Sequence, residues 1–174
     1  YNYSKFKSNI SIYGNTNNTN NSKYLSSNFK NIRIKTNVLT SSNKKYLNKF
    51  IAIQKISEPD IIEIHNRPNY VETIASKLKS KIILYFHNNP LTIAGSKTLN
   101  ERIYLLNKSE FIFFNSNWTK NQFFKDLNEV NYIKKFGVCY QSTKKAKVNL
   151  NKKKNIITFV GKLNSAKGYD IFGQ

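Results

Sequence analysis

The sequence predicts an α/β fold with a doubly wound parallel sheet. Short apolar runs alternate along the chain with stretches of helical periodicity, which is the order expected of successive β-α-β units. The central runs, Ile82–Phe86 and Phe111–Phe114, are continuously apolar rather than alternating. Such runs are typical of strands that a parallel sheet buries on both faces. The 174 residues suit one domain of this class and the beginning of a second.

Strands and helices are predicted in alternation from one end of the chain to the other. Strands are predicted at seven apolar runs: Asn9–Tyr13, Ile32–Thr36, Ile61–His65, Ile82–His87, Phe111–Asn115, Phe136–Tyr140 and Ile156–Gly161. Helices are predicted between them: Asn43–Ile56, Tyr70–Leu78, Asn100–Leu106 and Trp118–Leu127. Pro68 is suited to the first turn of the second helix, and Ser116 or Asn117 to the N-cap of the fourth. The crossovers between parallel strands are expected to be right-handed.

The chain is predicted to hold one nearly whole domain and the start of another. Residues 1–143 carry the repeated strand and helix pattern, and residues 144–155 are rich in lysine and are interpreted as a linker. Residues 156–174 then begin a second domain with a strand, a loop and a helix start. Because the sequence contains no Met and ends in the pattern of an opening helix, we expect it to be part of a longer protein.

The net charge is strongly positive. Lys and Arg number 29 against 9 for Asp and Glu, which gives +20 at pH 7 and favours a polyanionic partner. Only three of these residues are arginines, although arginine is best suited to bidentate phosphate and base contacts, so nucleic acid is not the expected partner. The abundance of Lys and Asn is also typical of an AT-biased genome. The lysines of residues 144–154 are interpreted as a solvated linker or as a patch facing an anionic membrane or acceptor.

Several function classes are disfavoured by missing patterns. One cysteine excludes an internal disulfide framework, and no apolar run approaches the roughly 18–20 residues of a membrane span. The sequence has no Walker loop, no Gly-x-Gly-x-x-Gly fingerprint and no Asp-x-Asp pair. We therefore expect no dinucleotide cofactor and no carboxylate-held metal.

Polar residues gather where three predicted strands end, the place at which open α/β sheets bind ligands. They are Glu63, His65, Asn66 and Arg67 after the first strand, His87 and Asn88 after the second, and Ser116 and Asn117 after the third. The two histidines of the chain fall at the ends of adjacent strands, which favours a shared cleft. Each histidine taken alone is also compatible with a structural role, and the Ser–Asn pair with an ordinary helix cap.

A loop with two lysines follows the last predicted strand. Gly161 ends that strand, and Lys162 and Lys167 lie in the loop before Gly168. Glycine lets a ligand approach the backbone closely, and the two ammonium groups are suited to a diphosphate.

Taken together, these motifs resemble the retaining glycosyltransferases of the GT-B fold, family 4 (glycosyl transferases group 1). The resemblance is carried, in order, by Glu63-Ile64-His65-Asn66-Arg67-Pro68, His87-Asn88-Asn89-Pro90, Glu101-Arg102, Phe114-Asn115-Ser116-Asn117-Trp118, Phe159-Val160-Gly161-Lys162-Leu163 and Lys167-Gly168. It implies two Rossmann-like domains that face each other across a cleft, the first mostly for the acceptor and the second for the nucleotide sugar. The family's first strand and Gly-rich loop would precede Tyr1, and its Glu-x7-Glu motif would follow Gln174.

The resemblance also implies roles for individual residues. His87 matches the family's catalytic histidine, which lies over the sugar near the reaction centre. Gly161, Lys162 and Lys167 would bind the donor diphosphate, with Lys162 in place of the usual arginine. The acceptor side and the cleft floor would be formed by Glu63, His65, Asn66, Arg67, Asn88, Ser116 and Asn117, with Asn88 where the family often has Asp.

The implied reaction moves a sugar from a nucleotide-sugar donor to a hydroxyl of a cell-surface glycan or glycolipid, such as a lipopolysaccharide, with retention and without a metal. The protein would be cytoplasmic, with peripheral contact at the inner face of the plasma membrane as a further option. These 174 residues alone are not expected to transfer sugar. Two alternatives stay open: another enzyme that handles nucleotide sugars, such as an epimerase, and a basic module that binds nucleic acid or anionic membrane without catalysis.

Overall fold

The computed structural model describes residues 9–15, 28–34, 41–142 and 169–172. These residues belong to two units, divided between Gln141 and Ser142. The strands are β1 Ile12–Gly14, β2 Phe29–Asn31, β3 Ile61–His65, β4 Lys81–Phe86, β5 Phe111–Phe114 and β6 Phe136–Val138. The helices are α1 Ser42–Ser57, α2 Val71–Ala75, α3 Leu99–Lys108, α4 Asn117–Phe123 and α5 Tyr169–Phe172. Short 3₁₀ turns lie at Pro68–Tyr70, Pro90–Thr92 and Glu129–Tyr132.

The first unit is built on a parallel sheet, as the apolar runs predicted. Its four strands are hydrogen-bonded in the order β3-β4-β5-β6, and every pair is parallel. Strands β1 and β2 form a separate parallel pair. Because all four strands of β3 to β6 are parallel, their carboxyl ends share one edge of the sheet.

One face of this sheet carries the hydrophobic core. Buried residues alternate along the strands of this face: Ile62, Ile64, Ile82, Leu84, Phe86, Ile112 and Phe114. They pack with buried side chains from four helices: Leu47 and Ile51 of α1, Val71 and Ile74 of α2, Leu105 and Leu106 of α3, and Phe123 of α4. On the opposite face Ile61 is 54% exposed. Helices covering both faces, which a doubly wound sheet requires, are not seen among the described residues, so that part stays a prediction.

Most predicted elements are confirmed with small differences at their ends. Strand β3 has the predicted bounds, Ser116 is the N-cap of α4, and helix α5 begins directly after Gly168 as expected. The predicted strand Ile156–Gly161 lies outside the described residues. None of the helices in the described part of the chain is long and apolar enough to span a membrane.

One predicted strand is wrong over its described residues. The sequence favoured Ile32–Thr36, but the strand is Phe29–Asn31. The Ile32 N–H still bonds to the Gly14 carbonyl at 2.8 Å, and Gly14 is the last residue of β1. The ladder ends there because the partner strand ends, although Ile32 itself is buried as its apolar character requires.

Two predicted helices end earlier than expected. Helix α2 stops at Ala75 rather than Leu78, because its last turn tightens and the Lys77 N–H bonds to the carbonyl three residues back. Helix α4 stops at Phe123 rather than Leu127, since the backbone leaves the helical region at the C-cap Phe124 (ψ 3°), and Asp126 further on has the left-handed angle φ 64°.

A buried arginine ties α3 to the end of α4. The Arg102 side chain is 3% exposed, and its Nη1 donates to the carbonyl oxygens of Phe123 and Lys125. Its Nε donates to the Thr98 carbonyl at 3.3 Å. Burial lowers the pKa of the Arg102 guanidinium, and nearby Asp126 opposes this effect. Arg102 therefore supplies donors to orphan carbonyls at a helix end, a structural task.

Candidate functional site

The two histidines meet at the carboxyl edge of the sheet. In the parallel register His65 lies opposite Tyr85, and His87 follows Tyr85 by two residues, so all three side chains emerge on the same face. This face is the one opposite the hydrophobic core. The two histidines are therefore in contact, as expected of residues at the ends of adjacent strands, whereas the predicted shared cleft stays a prediction.

A continuous chain of hydrogen bonds runs through both imidazoles. His65 Nε2 lies 2.8 Å from Glu63 Oε1, and His65 Nδ1 lies 2.7 Å from His87 Nε2. His87 Nδ1 is in turn 2.9 Å from Gln141 Nε2. Four side chains from three separate segments of the chain are therefore joined end to end, and both nitrogens of each histidine have a partner.

Tyr85 forms the aromatic floor of this chain. Its ring centroid lies 4.3 Å from that of His87 and 5.4 Å from that of His65. Tyr85 is 2% exposed, and its hydroxyl donates to the Cys139 carbonyl, which ties β4 to the segment that follows β6. The two rings consequently rest on a fixed, buried surface.

Burial is the main electrostatic influence on His87. It lowers the pKa of His87 below the usual histidine value, and neighbouring His65 lowers it further. Glu63 acts in the opposite direction and raises it, with the smallest effect of the three. The His87 ring is therefore neutral at pH 7.

Asn66 fixes the loop on which His87 lies. Its backbone has the left-handed angle φ 54°, which asparagine tolerates better than most residues. Its Oδ1 accepts the backbone N–H groups of His87 at 3.0 Å and Asn88 at 3.3 Å. The predicted site residue Asn66 thus holds the exit of β4 beside the end of β3.

Asn115 supports His87 from the other side. Its Nδ2 donates to the His87 carbonyl at 2.8 Å, and its Oδ1 accepts the Thr119 hydroxyl at 2.6 Å. Asn115 was not among the predicted site residues, although it directly follows a buried strand. Its position at a strand end is the signal that would have identified it.

Ser116 and Asn117 have other contacts. The Ser116 hydroxyl accepts the Thr119 N–H at 3.1 Å and so caps α4, which is the structural alternative considered from the sequence. Asn117 donates from Nδ2 to the Tyr140 hydroxyl at 3.1 Å. No hydrogen bond joins either side chain to the histidines in the described part of the chain.

A polar pocket of about 640 Å³ opens beside the histidine chain. Four predicted site residues line it: His65, Asn66, Arg67 and Asn88. The wall also includes residues that follow β1 and β2, residues of α1 and one residue of the 3₁₀ turn after β3: Asn15, Ile34, Ser42, Asn43, Tyr46 and Tyr70. The predicted catalytic residue His87 does not line this pocket; it lies behind His65 and reaches the pocket through that ring.

The predicted donor-binding residues Gly161, Lys162 and Lys167 lie outside the described residues. Within the described ranges, no three side chains of His, Cys, Asp or Glu are grouped to hold a metal ion.

The fold and the site together define an α/β protein with a polar, histidine-containing site at the carboxyl edge of a parallel sheet. Neither a scan against models of protein families nor a search of curated proteins gives a match to this chain.

Proposed function

We propose that this chain acts in a retaining, metal-independent glycosyltransferase of the GT-B type. The enzyme would move a sugar from a nucleotide-sugar donor to a hydroxyl of a cell-surface glycan or glycolipid. The observation that carries the proposal is the polar pocket at the carboxyl edge, with His65, Asn66, Arg67 and Asn88 in its wall. These residues belong to the same motifs, in the same order, that resemble family 4 of these enzymes.

The chemistry of the pocket suits a hydroxyl-rich acceptor. Amide side chains both donate and accept hydrogen bonds, and Asn15, Asn43, Asn66 and Asn88 supply four of them. Arg67 adds one cationic group, whose Nη1 already donates to the Asn66 carbonyl at 3.1 Å. A sugar or lipid-linked sugar would find many partners here and little apolar surface to exclude it.

The reaction would need help chiefly with the departing nucleoside diphosphate. The bond from the anomeric carbon to the phosphate oxygen breaks, a bond from the same carbon to the acceptor oxygen forms on the same face, and the acceptor hydroxyl loses its proton. Lys162 and Lys167 would stabilise the charge that develops on the phosphates. His87 would act near the reacting sugar, and the pocket would position the acceptor.

The basic binding module remains the second candidate, because the net charge of +20 favours it. That module would bind polyanions with an affinity that falls steeply with salt. Replacement of His87 would leave this binding unchanged, since the ring is half-buried and neutral. For the transferase we propose a cytoplasmic location, with the exposed lysines contacting anionic lipids of the membrane.

The experiment uses the complete gene product that contains these residues. It is incubated with UDP-, GDP- and ADP-sugars in the presence of EDTA, and release of the nucleoside diphosphate is followed. We expect release from one donor, lost in His87→Gln and in Lys167→Ala. The matched lysine control is Lys81→Ala, because Lys81 lies at the opposite edge of the sheet in an exposed pair with Glu110, 3.4 Å away. No release together with no nucleotide-sugar binding would contradict the proposal.

A further inference from the structure

When both histidines are neutral, the hydrogen bonds at the carboxyl edge can be donated in only one order, from Gln141 through His87 and His65 to Glu63. At one end Gln141 Nε2 can only donate, so His87 Nδ1 accepts and the ring proton lies on His87 Nε2. That proton is donated to His65 Nδ1, which places the proton of His65 on Nε2, facing Glu63. A carboxylate can only accept, so the order deduced from the Gln141 end also satisfies the Glu63 end.

We propose that Glu63, His65 and His87 form a proton relay. The proton enters the relay at His87 Nδ1, the atom to which the Gln141 amide donates. That the proton comes from an acceptor hydroxyl rests on the proposed function. His65 and Glu63 act through His87 and are positioning residues.

Gln141 is suited to be the replaceable end of this chain. It is exposed and lies outside any strand or helix, whereas the inner members are held by β3, β4 and the buried ring of Tyr85. A hydroxyl group can offer the same kind of donor to His87 Nδ1 as the amide does. An acceptor held in the pocket beside His65 would therefore enter the chain by extending past His65 to the far side of His87, where it takes the place of a single exposed side chain.

The relay step is balanced without any further reactant. The acceptor O–H bond breaks and an N–H bond forms at His87 Nδ1. The N–H bond at His87 Nε2 breaks and one forms at His65 Nδ1, across the 2.7 Å that separates the two atoms. His87 is neutral again, and the positive charge lies on His65, whose Nε2–H faces the Glu63 carboxylate at 2.8 Å. The acceptor oxygen keeps the electron pair with which it attacks.

The surroundings favour this final position of the charge. Glu63 on β3 contacts the pair and attracts the charge, whereas Arg67, in the loop after β3, lines the pocket beside His65 and opposes it from a greater distance than the 2.8 Å contact of Glu63. Tyr85 on β4 lies beneath both rings with its hydroxyl bonded to the Cys139 carbonyl. Burial acts against a charge on His87, whereas the side chain of His65 is 43% exposed. The relay therefore leaves the charge on the more exposed ring, in contact with the carboxylate.

The test is a pH titration of the ¹⁵N-labelled 174-residue chain by NMR, which reports the protonation of each imidazole nitrogen. Because the chain has only two histidines, the variants His65→Gln and His87→Gln assign every signal. We expect both neutral rings to carry their proton on Nε2.

Two matched variants then report the coupling at His87. In His65→Gln the pKa of His87 should rise, because a neighbouring ring that lowers it is gone. In Glu63→Gln the pKa of His87 should fall, because the carboxylate that raises it is gone. Each glutamine can keep the hydrogen bond of the residue it replaces, so the fold is disturbed little.

A proton on Nδ1 of His87 in the neutral wild-type chain would overturn the relay; it is read from the wild-type spectrum, and the variants serve only to assign the signals. Shifts of the His87 pKa in the same direction in both variants would overturn it as well. No sugar is present in these experiments. The relay can therefore fail while the full protein still turns over a donor, or hold while it does not. Failure of the relay and failure of the proposed function are distinguishable.

Discussion

Two networks of polar side chains in the first unit serve different purposes. Around Arg102 the donors go to backbone carbonyls, and the side chain is 3% exposed. Around His87 the bonds run from side chain to side chain, through His65 to Glu63 on one side and to Gln141 on the other, and three of the four members are exposed to solvent. The first network satisfies carbonyl groups at a helix end. The second ends on exposed side chains at the candidate site.

Residues that carry the same family resemblance therefore have different tasks: some stabilise the fold, and others form the candidate site. Glu101 and Arg102 were among the residues that carried the family resemblance, yet their contacts are structural. Glu101 forms a capping box with Thr98 at the start of α3, and Arg102 binds the end of α4. The histidine network has no comparable structural task, because its bonds satisfy side chains rather than orphan backbone groups. Substitutions should therefore act on different measured quantities in the two regions.

The largest effect is expected at Arg102. Arg102→Met should lower the free energy of unfolding by about 3 kcal/mol, because buried carbonyls of Phe123 and Lys125 lose their donor. Arg102→Lys keeps a charge and some of the donors, and should recover part of the loss. Denaturant unfolding measures both. A loss equal to that of His87→Gln, which should stay below about 1 kcal/mol, would remove the distinction between the networks.

An intermediate effect is expected at Asn66. Asn66→Ala should cost about 2 kcal/mol, because it removes the bonds to the His87 and Asn88 N–H groups and puts a Cβ-bearing residue without a polar side chain at φ 54°. Asn66→Gly removes the same bonds and tolerates the backbone angle. The difference between the two variants isolates the backbone strain, and equal losses would show that the hydrogen bonds alone matter.

The smallest effect is a pH dependence from His87. The pKa of this ring is lower in the folded chain than the usual 6.5, so the unfolded chain binds its proton at a higher pH. The free energy of unfolding should therefore fall as the pH drops from 6.5 towards the folded pKa, and level off below it. Comparison of wild type and His87→Gln between pH 8 and pH 5 measures this contribution. Stability from His87 that increases on acidification would contradict the direction of the shift.

Much of the sheet could be predicted from the sequence, because its apolar runs are long and continuous. β3 matched fully, and the meeting of His65 and His87 followed from parallel strands that end at one edge. Gln141 could not be predicted in this way. It is 54 residues from His87, and the contact depends on where the chain leaves β6. The early end of α4 was equally hidden, since the apolar pattern does not reveal that the backbone leaves the helical region at Phe124.

The most direct test compares donor turnover and thermal stability in two variants of the complete gene product. We predict that His87→Gln abolishes release of the nucleoside diphosphate while the melting temperature changes little. Arg102→Lys should lower the melting temperature, while the folded fraction keeps its turnover number. If turnover in both variants instead fell in proportion to stability, the histidine network would be structural and the proposed site would be wrong.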